Sequence, residues 1–141
     1  MITRFLAAYV AVYIFNSLSG YLIHDRLLHQ QYMELMPILH TEHIQHKIWA
    51  FILTAVTGSF FFTLVYSAWK KSGSISEGLV YGLIIGLWMG LSMSLNAYAS
   101  TGLIPLSLAM KWFLYSLLQY VLAGMLVAWV YHIHSFTKTN K

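Results

Sequence analysis

The stretch from Gly78 to Tyr98 constrains the fold most, because its 21 residues include no charged side chain. Small residues recur in it at every fourth position: Gly78, Gly82, Gly86, Gly90 and Ser94. A soluble helix loses stability at each interior glycine, whereas a membrane helix can use such a stripe for close packing. The length also suits a bilayer. We therefore expect this stretch to be the central transmembrane helix of a small bundle, packed through the stripe.

Three further apolar segments accompany it. Hydrophobic residues make up 59% of the 141 residues and charged residues only 9%, against about 25% charged in soluble domains. The four spans are expected at about 5–23, 48–69, 78–98 and 112–131. The sequence therefore predicts an all-α fold, an integral membrane four-helix transmembrane bundle, with residues 1–141 as a single domain.

Residues 24–47 form a histidine-rich connection between the first two spans. We expect the first helix to continue beyond the membrane as far as Tyr32. Pro37 suits the first turn of the second helix, where a missing N–H has no cost.

This sequence lacks the residues that several classes of protein need for their function. The absence of cysteine excludes disulfides and thiolate chemistry. No charged residue lies inside the four spans, which argues against an ion-coupled transporter. No nucleophile or phosphate-binding motif is present, so we expect no catalytic residues and no enzyme activity. The few cationic residues lie at span ends, which does not favour nucleic-acid binding.

The cationic residues also predict the orientation. Four spans place both termini on one side of the membrane. Five Lys and Arg lie on that side and three lie on the other: Arg4, Lys70, Lys71, Lys138 and Lys141 against Arg26, Lys47 and Lys111. Because cytoplasmic segments carry the excess of Lys and Arg, both termini are expected in the cytoplasm, with the histidine-rich connection outside.

Four residues within the spans are candidates for polar contacts between helices or with a ligand. Asn16 and Gln119 fall at similar depths in antiparallel spans, so we expect a hydrogen bond between them, acting as structural glue or as a polar contact to a ligand. Asn96 lies towards the outer end of the third span. Trp88 lies at its middle, where we expect packing against the Phe-rich second span.

Five of the seven histidines lie close together: His24, His29, His40, His43 and His46. Imidazoles can bind copper, zinc or haem, and Met33 and Met36 nearby would favour copper over zinc. Two carboxylates, Asp25 and Glu42, precede a histidine by four residues and would orient ligand imidazoles by accepting one ring N–H. The alternative is that these histidines are interfacial residues that contact lipid headgroups.

Several short motifs resemble a family of small, uncharacterised bacterial inner-membrane proteins. They are LIHDRLL at 22–28 with Tyr32, EGLVYGLIIGL at 77–87, Pro105, and QYVLAG at 119–124. The resemblance implies a four-helix protein of the bacterial inner membrane and carries no catalytic residues. The HTEHIQH segment at 40–46 lies outside the pattern.

Three functional hypotheses remain open at this point. The first is an accessory or assembly component, with the lipid bilayer around it, that self-associates or joins a larger membrane complex. The second is a metal or haem protein that uses the histidine cluster. The third is a binder or carrier of a lipid or an apolar small molecule.

Overall fold

The computed structural model describes residues 2–39 and 46–136. This part of the chain is all-α. Its helices are α1 (Ile2–Tyr21), α2 (His29–Leu39), α3 (Ile48–Trp69), α4 (Ile75–Ile85), α5 (Leu91–Thr101) and α6 (Leu106–Phe136), with π-helical segments at Leu22–Leu27 and Gly86–Gly90.

Four of the helical stretches are long and apolar enough to cross a membrane. They are Ile2–Leu27, Ile48–Trp69, Ile75–Thr101 and Leu106–Ile133. The predicted four-span, all-α fold is therefore confirmed, and three of the stretches extend beyond the predicted spans. We call the end at which α1 begins the N-terminal face and the opposite end the His24 face.

The helix with the most partners is α6. It packs against α1, α4, α5 and the Gly86–Gly90 segment, whereas α3 packs its backbone mainly against α1. The prediction that the glycine-rich span is central is therefore wrong. The glycine-rich span lacks side chains on one face only, so only one neighbouring helix can approach it closely. The 31-residue α6 has neighbours on several sides.

Two turns rely on local sequence signals. At the start of α4 the Ser74 hydroxyl accepts a hydrogen bond from the Glu77 N–H at 3.2 Å, as an N-cap residue should. The Glu77 carboxylate in turn accepts backbone N–H groups of Lys71 and Ser72, both at 2.7 Å. Gly102 ends α5 in the left-handed region with φ of 62°, which favours glycine.

The chain bends sharply at the His24 face. Residues Leu22–Leu27 are π-helical, and Leu28 leaves the helix with φ of −101° and ψ of 3° before α2 begins. The predicted continuous helix through Tyr32 is therefore interrupted. Pro37 lies inside α2 rather than in the first turn of the second span, so that prediction is wrong. Most of the predicted helical extension before α3, residues 40–45, lies outside the described residues.

Two separate apolar cores hold the helices together. The larger core includes Ala8, Val12, Phe62, Tyr66, Tyr81, Ala123 and Val127. The second core lies at the His24 face and consists of Ile23, Leu28, Ile104, Leu108 and Ala109, with Tyr32, Leu35, Trp112 and Tyr115 packed against it. The second core joins the bend after α1 to the start of α6.

Candidate functional site

The glycine-rich span lies directly against α6. A Cβ atom added at Gly78 would meet the Gly124 carbonyl oxygen, and one added at Gly82 would meet the Tyr120 carbonyl oxygen. Gly86 and Gly90 face α6 as well, with the Leu117 and Ser116 side chains 3.0 and 3.2 Å from the added atom. Ser94, the last small residue of the stripe, is buried. The stripe is therefore covered by α6 of the same chain.

Gly124 completes this contact, although it was not among the predicted packing residues. A Cβ atom at Gly124 would meet the Gly78 carbonyl oxygen and would lie 2.9 Å from Gly82 Cα. The backbones of α4 and α6 thus touch through glycines on both helices. The signal for this was the spacing of Gly124 and Ala128, two small residues four apart on α6.

A polar cluster joins α1, α3 and α6 inside the membrane-spanning region. The Gln119 side-chain amide donates to the Ser19 hydroxyl at 2.7 Å and to the Asn16 backbone carbonyl at 3.3 Å. The expected bond between Gln119 and Asn16 is thus present, but it uses the Asn16 backbone. The Asn16 amide instead donates to the buried Ser59 hydroxyl at 3.0 Å. Neither serine was identified from the sequence, since each can also bond its own helix.

The other two polar candidates within the spans lie on exposed surfaces. Trp88 is 65% exposed, so the prediction that it packs against the second span is wrong. It lies two residues from both Gly86 and Gly90, and a two-residue step turns a helical side chain to about the opposite face. Because the glycines face α6, Trp88 points away from it. Asn96 is also exposed, and its backbone carbonyl accepts the Ser100 hydroxyl at 2.7 Å.

At the His24 face a chain of hydrogen bonds connects three helical segments. The Trp112 indole N–H of α6 donates to the Tyr32 hydroxyl of α2 at 2.7 Å. The same hydroxyl lies 2.7 Å from His24 Nδ1 in the π-helical segment. The Tyr32 and His24 rings are also stacked, with centroids 5.9 Å apart. These contacts fix the position of α2 after the bend.

One of the two hydrogen bonds in this chain has a fixed donor. An indole N–H can only donate, so the Tyr32 oxygen accepts from Trp112. Between Tyr32 and His24 Nδ1, the donor depends on the tautomer of the imidazole. Burial raises the pKa of Tyr32 to about 12, which keeps the hydroxyl protonated at physiological pH. A neutral His24 that accepts at Nδ1 carries its proton on Nε2. In the other tautomer Nδ1–H donates to the Tyr32 oxygen, and the lone pair of Nε2 is free to bind a metal.

The remaining members of the predicted histidine site are spread out or lie outside the described residues. His29 and His46 are exposed. Asp25 and His29 lie on either side of the bend at Leu28, in the π-helical segment and at the start of α2. His40, Glu42 and His43 lie outside the described residues. Within residues 2–39 and 46–136, no three His, Asp or Glu side chains converge as a metal site. Copper, zinc or haem binding therefore stays a prediction.

We expect Tyr32→Phe to lower the free energy of unfolding by about 1–2 kcal/mol, because Trp112 Nε1 and His24 Nδ1 both lose their partner. Titration with SDS in mixed micelles, followed by circular dichroism, measures this change. The control is Tyr98→Phe, which removes a hydroxyl from an exposed side chain. Equal effects of the two substitutions would show that the hydrogen-bonded chain contributes no stability.

The comparisons with known proteins add no relative. No protein-family model, no curated protein and no solved structure matches this chain.

Proposed function

We propose that this protein is a non-catalytic component of a bacterial inner-membrane assembly, with both termini in the cytoplasm. The orientation is supported by the five-to-three distribution of cationic residues. The assembly role is supported by one observation: residues 48–58 of α3, which we call its bare half, include no buried residue. The glycine stripe of α4 does not support it, because α6 occupies that stripe.

The two halves of α3 differ in how they pack. Residues 59–66 provide all of its buried positions, namely Ser59, Phe62, Thr63 and Tyr66. None of residues 48–58, at the His24 end, is buried. The second half of α3 is therefore packed within the chain. Its first half leaves a surface that another chain can cover.

This bare half carries a small-residue face. Ala50, Thr54 and Gly58 recur at four-residue intervals, and a Cβ atom added at Gly58 would meet nothing within 4 Å. The Thr54 hydroxyl donates to the Ala50 carbonyl at 2.8 Å, so it needs no polar partner. Small residues at this spacing allow another transmembrane helix to approach closely. The partner we propose is a transmembrane helix, from a second copy or from another protein.

The test is Gly58→Leu, which should leave the fold intact but disrupt the assembly. Native mass spectrometry from nanodiscs would show whether the wild-type protein exceeds its 16.1 kDa monomer mass through a second copy or another protein. We expect the variant to lose most of the complex. A photo-reactive amino acid at Thr54 should cross-link to the partner in intact membranes.

The matched control is Gly20→Leu in α1, where an added Cβ atom also meets nothing within 4 Å. This variant should retain the complex. If the wild-type protein is a monomer without a stoichiometric partner, or if both variants behave alike, the proposed assembly role is wrong.

A further inference from the structure

A cavity opens at the N-terminal face, away from every site considered so far. Its volume is about 300 Å³, and it is lined by Ile2, Arg4, Phe5, Ser67, Lys70 and Tyr131. This is near the lower end of the range of small-molecule pockets, about 300–1,000 Å³. The lining comes from the start of α1, the end of α3 and the last part of α6.

The polar part of the lining is cationic. Arg4 and Lys70 are two of the six lining residues, and none of the six is acidic. The Lys70 Nζ atom lies 5.0 Å from the centre of the Tyr131 ring, which directs the ammonium across the end of α6. Both cationic residues are half-buried.

Among the described residues, the acidic side chain near this face is engaged elsewhere. Glu77 is the nearest carboxylate in sequence to Lys70. One of its oxygens accepts the Lys71 N–H, and the other accepts the Ser72 N–H, the Ser72 hydroxyl and the Gly73 N–H, at 2.7 to 3.1 Å. Because these four donors surround the carboxylate, it folds the loop and does not line the cavity.

The apolar part of the lining favours an anion that carries apolar chains over a small inorganic anion. Ile2 and Phe5 line the same cavity as the two cationic groups, at the end of the transmembrane helices. A phospholipid joins an anionic phosphate to acyl chains at this depth of a membrane, so it matches both parts of the lining. Basic pockets between helices at the cytoplasmic side are suited to anionic headgroups. Inorganic phosphate would match the cationic part alone.

We propose that this cavity binds the phosphate of an anionic phospholipid, held between Arg4 and Lys70. The site is independent of the assembly surface on α3, which lies at the other end of that helix. Lys70 thus contacts the ligand. Its neighbour Lys71 does not line the cavity and has no role in binding.

The test measures binding of phosphatidylglycerol to the full-length protein in detergent, by native mass spectrometry and by the shift of the unfolding midpoint. We expect Arg4→Gln and Lys70→Gln each to weaken binding about fivefold. The control Lys71→Gln removes the same charge from the next residue and should bind like wild type. Lys70→Arg keeps the charge and should also retain binding. The midpoint of each variant without lipid shows that it is folded.

Three results would overturn the proposal. Equal loss in Lys70→Gln and Lys71→Gln would indicate a diffuse charge effect. Equal binding of phosphatidylglycerol and phosphatidylcholine would show that the headgroup charge is not recognised. Displacement of the lipid by millimolar inorganic phosphate would assign the site to free phosphate.

Discussion

Gly82→Leu is expected to lower the free energy of unfolding by about 3 kcal/mol or more, and to prevent folding in a mild detergent. The cause is backbone contact. A Cβ atom at Gly82 would meet the Tyr120 carbonyl oxygen and would lie 2.7 Å from Val121 Cα. Backbone atoms inside a helix cannot move aside as a flexible side chain can, so α4 and α6 would have to separate along their whole contact.

The matched control is Gly20→Leu, the same change on α1 at a site with open space around it. Its free energy of unfolding should differ from that of wild type by less than about 0.5 kcal/mol. SDS titration of both variants and wild type provides the comparison. A well-folded Gly82→Leu protein would contradict the close contact between α4 and α6.

Leu28→Ala is the second large effect that we expect, a loss of about 2–5 kcal/mol in the free energy of unfolding. Leu28 is 1% exposed and lies in the second core with Ile104 and Leu108. Truncation would leave a cavity at the bend between α1 and α2, where Tyr32 and Trp112 pack against the same core. The π-helical segment and α2 should therefore lose order first.

Leu27→Ala provides the adjacent control, because Leu27 is 51% exposed and makes no contribution to this core. We expect a change within about 0.5 kcal/mol for it. Hydrogen exchange of the amides of α2, compared between the two variants, locates the loss. Similar protection of α2 in both variants would show that the second core does not hold the bend.

The polar residues show how far sequence reasoning reaches inside a membrane. Asn16 and Gln119 were identified because amides are costly in an apolar span and have to find partners. Their actual bonds go to Ser19, Ser59 and a backbone carbonyl. A serine in a helix can bond its own backbone or a neighbour equally well. The Ser19 hydroxyl does both, since it donates to the Phe15 carbonyl of its own helix at 2.7 Å and accepts from Gln119. Whether the second bond forms depends on which helix lies beside it.

The histidine-rich connection contains a contact that the sequence could not predict. Its composition predicts a metal site, whereas the described part places His24 in a hydrogen bond with Tyr32. Tyr32 and Trp112 are 80 residues apart in the chain. No local pattern in the sequence brings two such residues together.

The sequence by itself determined the all-α class, the four spans and the small face of the third span. These properties depend on hydropathy, span length and the absence of side chains at fixed intervals, which are local. The tertiary structure alone decided that α6 is the central helix, that Gly124 meets Gly78, and that the chain bends at Leu28. It also brought Arg4 and Lys70 to one cavity, because residues far apart in the chain become neighbours only once the helices have packed.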